Sequence, residues 1–132
     1  MLSFEAVGNI LDDIAEQLPS DFYKELNGGI NLLPDEKLHR KSVDTCKLYI
    51  LGDYHNERLL GRYINIYYGS FMKVCAHLDY IQQKVELRKI LLHEFTHHME
   101  SLAGERDLEI KDFYDLEKYL QQFNKENADN RS

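Results

Sequence analysis

At 132 residues, 43% of them hydrophobic, the chain is long enough to close one core and too short for two ordinary domains. Its net charge of −7, with nothing more basic than the short run Lys37, His39, Arg40 and Lys41, argues against nucleic acid or an anionic membrane surface as a partner. The start, Met1-Leu2-Ser3-Phe4-Glu5-Ala6, lacks the basic and apolar regions of a secretion signal, and no stretch approaches a membrane span in length, so a cytoplasmic protein is expected.

In chain order, Phe4, Val7, Ile10, Leu11, Ile14 and Leu18 recur at helical spacing behind Ser3, a candidate N-cap, and Pro19 stops the helix. A short second helix is expected from Ser20 or Asp21 to the breaker Asn27-Gly28-Gly29. Ile30 to Pro34 reads as a strand, and the charged stretch from Asp35 to Asp44 as loop. Cys46 to Gly52 and Arg62 to Gly69 read as two antiparallel neighbours, with the turn formers of Asp53 to Arg58 between them. A short helix is expected within Ser70 to Leu78, then a long one from Ile81 to about Ala103, with Gly104 where a C-terminal cap would sit. Asp112 is placed to cap a last helix running to Phe123, and residues 124–132 read as a flexible tail after a domain of residues 1–123. Cys46 and Cys75 have no ligand-like spacing and read as buried or half-buried free thiols.

The long helix carries His93-Glu94-Phe95-Thr96-His97, two imidazoles at i and i+4 with a carboxylate between them. Residues four apart on a helix are neighbours, so two ring nitrogens can share one tetrahedral zinc while Glu94 serves as general base. A surface helix that merely happens to carry these residues is the plain alternative. At about 100° per residue, however, His93 and His97 fall opposite the stripe of Val85, Leu92, Phe95 and Met99, with Glu94 between the two sides at a rim position. The stripe packs, and the histidines face a cleft. By the same angle His98 reads as a core or sheet-facing histidine, while His39, His55 and His77 read as isolated and solvated. Tyr63, Tyr67 and Tyr68 first fit a strand of high β propensity.

The elements and their order, a small sheet ahead of the metal-binding helix, suit a zincin. More narrowly, Leu91-Leu92-His93-Glu94-Phe95-Thr96-His97-His98, the upstream strand Tyr63 to Gly69 and the overall length resemble the small bacterial zincin-like metallopeptidases known as minimal zincins, over about residues 4–120. The resemblance implies a single-domain α+β fold, a small mixed or antiparallel sheet packed on the HExxH helix, with an N-terminal helix. It also implies a strand beside the cleft that holds extended substrate, for which Tyr63 to Gly69 is the candidate. A third zinc ligand is implied by the family pattern HExxHxxGxxD, from which this chain departs: Glu100 stands where the pattern has Gly. Aligning Gly104-Glu105-Arg106-Asp107 nominates Asp107. A helix one turn longer carries its end about 6 Å further from the metal, and the return needs extra residues at about 3.3 Å each, which favours Glu109 or Asp112. Asp112 is the choice, with Glu100 a partner for an imidazole rather than a ligand.

The function expected is zinc-dependent hydrolysis of peptide bonds in a peptide or protein substrate, His93, His97 and Asp112 holding Zn2+ and Glu94 moving the proton. Two alternatives stand beside it: a zinc-binding regulatory or interaction domain with little turnover, and a regulatory peptidase that cuts one protein partner. No oxyanion-stabilising group can be named from the sequence, although Tyr114 and Tyr119 would bring a phenol to the metal if the last helix folded back.

Overall fold

The first helix follows from its own sequence. Ser3 accepts a hydrogen bond from the Ala6 N–H at 3.1 Å, and Val7, Ile10, Leu11 and Ile14 bury one face of α1 (Phe4–Gln17). The computed structural model describes residues 2–43 and 45–104. After a 3-10 turn at Ser20–Tyr23, the chain forms β1 (Gly29–Leu33), β2 (Lys37–Leu38), β3 (Tyr49–Ile50), β4 (Gly52–Glu57), β5 (Gly61–Tyr67), α2 (Tyr68–Cys75) and α3 (Tyr80–Gly104). The expected last helix and tail lie outside the described residues. Among the described residues no helix is long and apolar enough to cross a membrane.

The architecture is α+β, built on a mixed three-stranded sheet in the order β1-β5-β4. β1 runs parallel to β5 and β4 antiparallel to it, with Gly52 opposite Ile66 and Glu57 opposite Gly61. β2 and β3 form a separate antiparallel pair. Alternation along β5 explains what each face does: Ile64 and Ile66 are fully buried against the helices, whereas Tyr63 and Asn65 face the other way and are half-buried. Phe71, Leu87, Leu91, Phe95 and Leu102 complete the core, and the rings of Phe22 and Tyr23 pack on Phe95.

Two strand expectations are corrected. The segment from Asp53 to Glu57, expected as a turn, is most of β4, and of the expected Cys46 to Gly52 strand only Tyr49–Ile50, in β3, and Gly52, which begins β4, join a ladder. The turn lies later, at 58–60, closed by Gly61 with a φ of 74° that only glycine adopts readily. β4 escapes a hydrophobicity reading because its outward side chains, Asp53 and His55, satisfy one another. Second, β5 is the central strand and cannot offer a hydrogen-bonding edge; the outer strand beside α3 is β4. Gly52 lets it lie there: a Cβ at this position would come within 3.1 Å of Asn65 O, Ile66 Cδ1 and Ile90 Cγ2. Of the cysteines, Cys75 is buried as expected but Cys46 is exposed, at a turn where Val43 bridges to it, and both are free thiols.

Candidate metal centre

A cleft runs between α3 and the outer side of β4, lined by His93, Glu94, His97, Glu100 and Ser101 from the helix, Gly52, Asp53 and Tyr54 from the strand, and His39 and Ile50 from the small hairpin. A second groove, between α1 and the first turns of α3, has no histidine or cysteine among its lining residues.

His93 and His97 stand exposed on one side of α3, as the helical angle predicts, with Nε2 of one 3.2 Å from Nε2 of the other. That separation can be tested against a shared ion. Zn–N bonds of about 2.0–2.1 Å at the tetrahedral angle put two nitrogens about 3.3–3.4 Å apart, so the pair fits a zinc with little movement. The tautomer is consistent with this. Glu100 lies 3.5 Å from Nδ1 of His97, which favours the ring proton on that nitrogen and bares Nε2. Glu100 therefore supports an imidazole, as the sequence suggests, from the side away from the shared point.

Glu94 sits deeper than the rim position expected, only 5% exposed. Burial pushes its carboxyl up to about 7; the charge of Asp53 adds to this, while His97 and His55 partly offset it. A carboxyl poised near neutrality beside two convergent imidazoles is suited to exchanging a proton.

Among the described residues no third His, Cys, Asp or Glu completes a group of three around the pair. Asp53 is a further carboxylate in the cleft, but its oxygens are occupied: Lys37 Nζ donates to Oδ2 at 2.5 Å, His55 Nε2 lies 2.8 Å from Oδ1, and the Tyr67 hydroxyl donates at 2.9 Å. Burial raises the Asp53 carboxyl, yet these donors outweigh it and hold the group below its ordinary range. The acids nominated from sequence, Asp107, Glu109 and Asp112, lie outside the described residues, as do Tyr114 and Tyr119.

His98 is fully buried, as expected, bridging the Tyr54 hydroxyl at Nδ1 and the Lys24 carbonyl at Nε2, each at 2.8 Å. His55 and His39 are not the isolated, solvated residues that the sequence suggests. His55 stacks on Tyr63 with centroids 4.8 Å apart and bonds Asp53, and His39 is half-buried in the cleft wall. Asp53 and His55 have an i, i+2 spacing that puts them on one strand face, a signal readable only once this segment is known to be extended. His39 carries no such local signal, because the hairpin that brings it to α3 is set by tertiary contacts.

No known family's sequence profile matches the chain, and no curated protein is significantly similar to it. Among solved structures it is similar to a conserved hypothetical protein from Thermo thermophilus, with 31% identity and a TM-score of 0.68, over 78% of this chain and 99% of that one. With that identity over virtually the whole of the other protein, the chain belongs to the same family as this conserved hypothetical protein.

Proposed function

We propose that the protein is a zinc metallopeptidase of the minimal zincin type, hydrolysing peptide bonds in peptides or unfolded segments. The observation that carries this reading is the convergence of His93 and His97 Nε2 atoms at 3.2 Å beside a buried carboxyl, Glu94, in one cleft. His93 and His97 would hold the zinc with an acid from the segment after Gly104, Asp112 being preferred over Glu109 and Asp107. When bound, zinc supplies a Lewis acid that polarises a carbonyl and lowers the pKa of water.

The chain's own residues do the rest. Glu94 takes the proton of the attacking water and delivers it to the departing amine nitrogen, which requires a carboxylate whose affinity for protons lies near the working pH. β4 orients the substrate. The Tyr67 N–H donates to the Leu51 carbonyl at 2.9 Å, so by antiparallel alternation the backbone groups of Asp53 and His55 point to β5 and those of Gly52 point outward, to the cleft. An extended peptide can add to that side as another strand. The Lys37, His55 and Tyr67 contacts to Asp53 hold β4 in shape behind it.

The test begins with elemental analysis of protein purified without added zinc and a cleavage screen on casein and a peptide library. Expected are close to one zinc per chain, loss of most of it in His97→Ala, and cleavage by the parent. Glu94→Gln should keep its zinc and lose about 100-fold or more in rate. Zinc binding without cleavage of any substrate would favour a regulatory or interaction domain instead, and full zinc occupancy in His97→Ala would remove the site.

A further inference from the structure

Hydrolysis of an amide puts negative charge on the carbonyl oxygen, and a donor aimed at that oxygen is usually worth more than any other single contact. Several groups in the cleft or bonded to its wall are unable to serve. His98 Nε2 faces the Lys24 carbonyl, which only accepts, so the ring carries its proton there and Nδ1 accepts from the Tyr54 hydroxyl. The Tyr54 phenol proton is thus spent. Lys37 is bound to Asp53. The Ser101 hydroxyl accepts from Asn56 and from Arg62, and it stands on α3 a full turn beyond His97, two turns beyond His93.

His39 differs. The backbone N–H of Lys41 donates to its Nδ1 at 3.0 Å. A nitrogen that accepts has its lone pair in the bond, so the neutral ring carries its proton on Nε2. That N–H has no acceptor among the described residues, and His39 lines the cleft shared with His93, Glu94 and His97. Its position is held before any substrate arrives. The His39 N–H donates to the Leu48 carbonyl at 2.7 Å and its carbonyl accepts from the Ser42 N–H at 2.9 Å. The Ser42 hydroxyl in turn bonds both backbone groups of Leu48, and the Lys37 N–H donates to Ser70 Oγ at 2.7 Å, anchoring the hairpin to α2. Preorganisation of this kind is what makes a donor effective, because nothing reorganises as the charge develops.

We propose that His39 is a catalytic residue whose Nε2–H donates to the carbonyl oxygen of the bond being cleaved; this rests on the peptidase reading above. Water adds to the carbonyl carbon, the π electrons of the carbonyl move to its oxygen, and His39 stabilises that oxygen by a hydrogen bond without giving up its proton. The pair of electrons returns as the C–N bond breaks.

The experiment compares the parent with His39→Phe, which removes the donor, and His39→Gln, which keeps an N–H. Expected for His39→Phe is a loss of about 10²–10³ in kcat with KM nearly unchanged, an equal loss of affinity for a phosphinic peptide that mimics the tetrahedral oxyanion, and undiminished zinc content. His39→Gln should recover part of both. Binding of uncleaved substrate to Glu94→Gln should be the same with and without His39→Phe. In metal-free protein, nitrogen-15 NMR should place the His39 ring proton on Nε2. A proton on Nδ1, loss of zinc in His39→Phe, or equal cleavage and equal inhibitor affinity in parent and both variants would overturn the proposal while leaving the peptidase reading intact. A parent that holds zinc and cuts nothing overturns both.

Discussion

The burial of Glu94 has a consequence for stability that is separate from any activity. Its carboxyl, 5% exposed, is pushed up to about 7 from an ordinary value of 4.5, chiefly by desolvation. Below pH 4.5 the group is protonated in folded and unfolded chains alike and costs nothing. Between 4.5 and 7 the unfolded chain ionises while the folded one holds its proton, so folding stability falls as pH rises; above 7 the full penalty applies. A rise from 4.5 to about 7 corresponds to about 3 kcal/mol. Glu94→Gln has the same shape and no charge to desolvate. In the metal-free protein it should therefore be more stable than the parent by about 3 kcal/mol at about pH 8 and by nearly nothing at about pH 4. The assay is urea unfolding of both proteins in chelator at several pH values, the quantity compared being the difference between them, in which titration of other groups largely cancels. A variant less stable than the parent at the alkaline end, or an advantage independent of pH, would refute the reasoning. A cation held by His93 and His97 favours the carboxylate, so the penalty belongs to the metal-free protein alone.

His98→Leu should lose about 1–3 kcal/mol in chemical denaturation, since it removes the ring's hydrogen bonds to the Tyr54 hydroxyl and the Lys24 carbonyl. Desolvation lowers the His98 pKa, so the parent should lose stability as pH falls below about 6.5, and this part of the acid limb should vanish in the variant. Gly52→Val should cost about 1–3 kcal/mol and weaken zinc affinity, because its added carbons drive β4 from Ile66 and Ile90 and so deform the cleft wall. Asp107, Glu109 and Asp112, changed singly to Ala and measured by chelator competition, should separate the third ligand by a loss of orders of magnitude. Glu100→Ala should cost about 10 to 100-fold through His97, and parental affinity in Asp112→Ala would eliminate that choice.

Legibility in the sequence follows the physical origin of each element. α1 and the central part of α3 declare themselves because one face of each must be apolar, and the same periodicity turns His93 and His97 away from the core. At its first turn the pattern misleads: Ile81, counted among the helix's apolar residues, is 73% exposed. β4 is hidden because its stability comes from cross-strand partners rather than from its own hydrophobicity. Asp53 draws Lys37 from β2 and Tyr67 from β5, neither of which is near it in sequence. The Tyr63 to Tyr67 strand is legible, yet its place in the sheet is not, since parallel pairing with β1 across 34 residues leaves no local trace. His39 escapes notice for the same reason.

The depth of Glu94 also bears on which function the cleft serves. Metal-free, the carboxylate costs about 3 kcal/mol above about pH 7, in a chain of 132 residues whose total stability should be roughly 7–20 kcal/mol at 0.05–0.15 kcal/mol per residue. Zinc needs no residue of this kind, because His93 and His97 bring their nitrogens together without it. Before it takes up metal, a chain that only bound zinc would be more stable with Gln at position 94. Under the peptidase proposal the penalty has a use, because there a carboxylate must sit close to the metal, accept a proton and release it again, and the burial that raises its pKa toward the working pH is the source of both the cost and the reactivity. On that proposal stability and proton transfer pull in opposite directions at one residue, and a glutamate at position 94 is the choice that favours proton transfer.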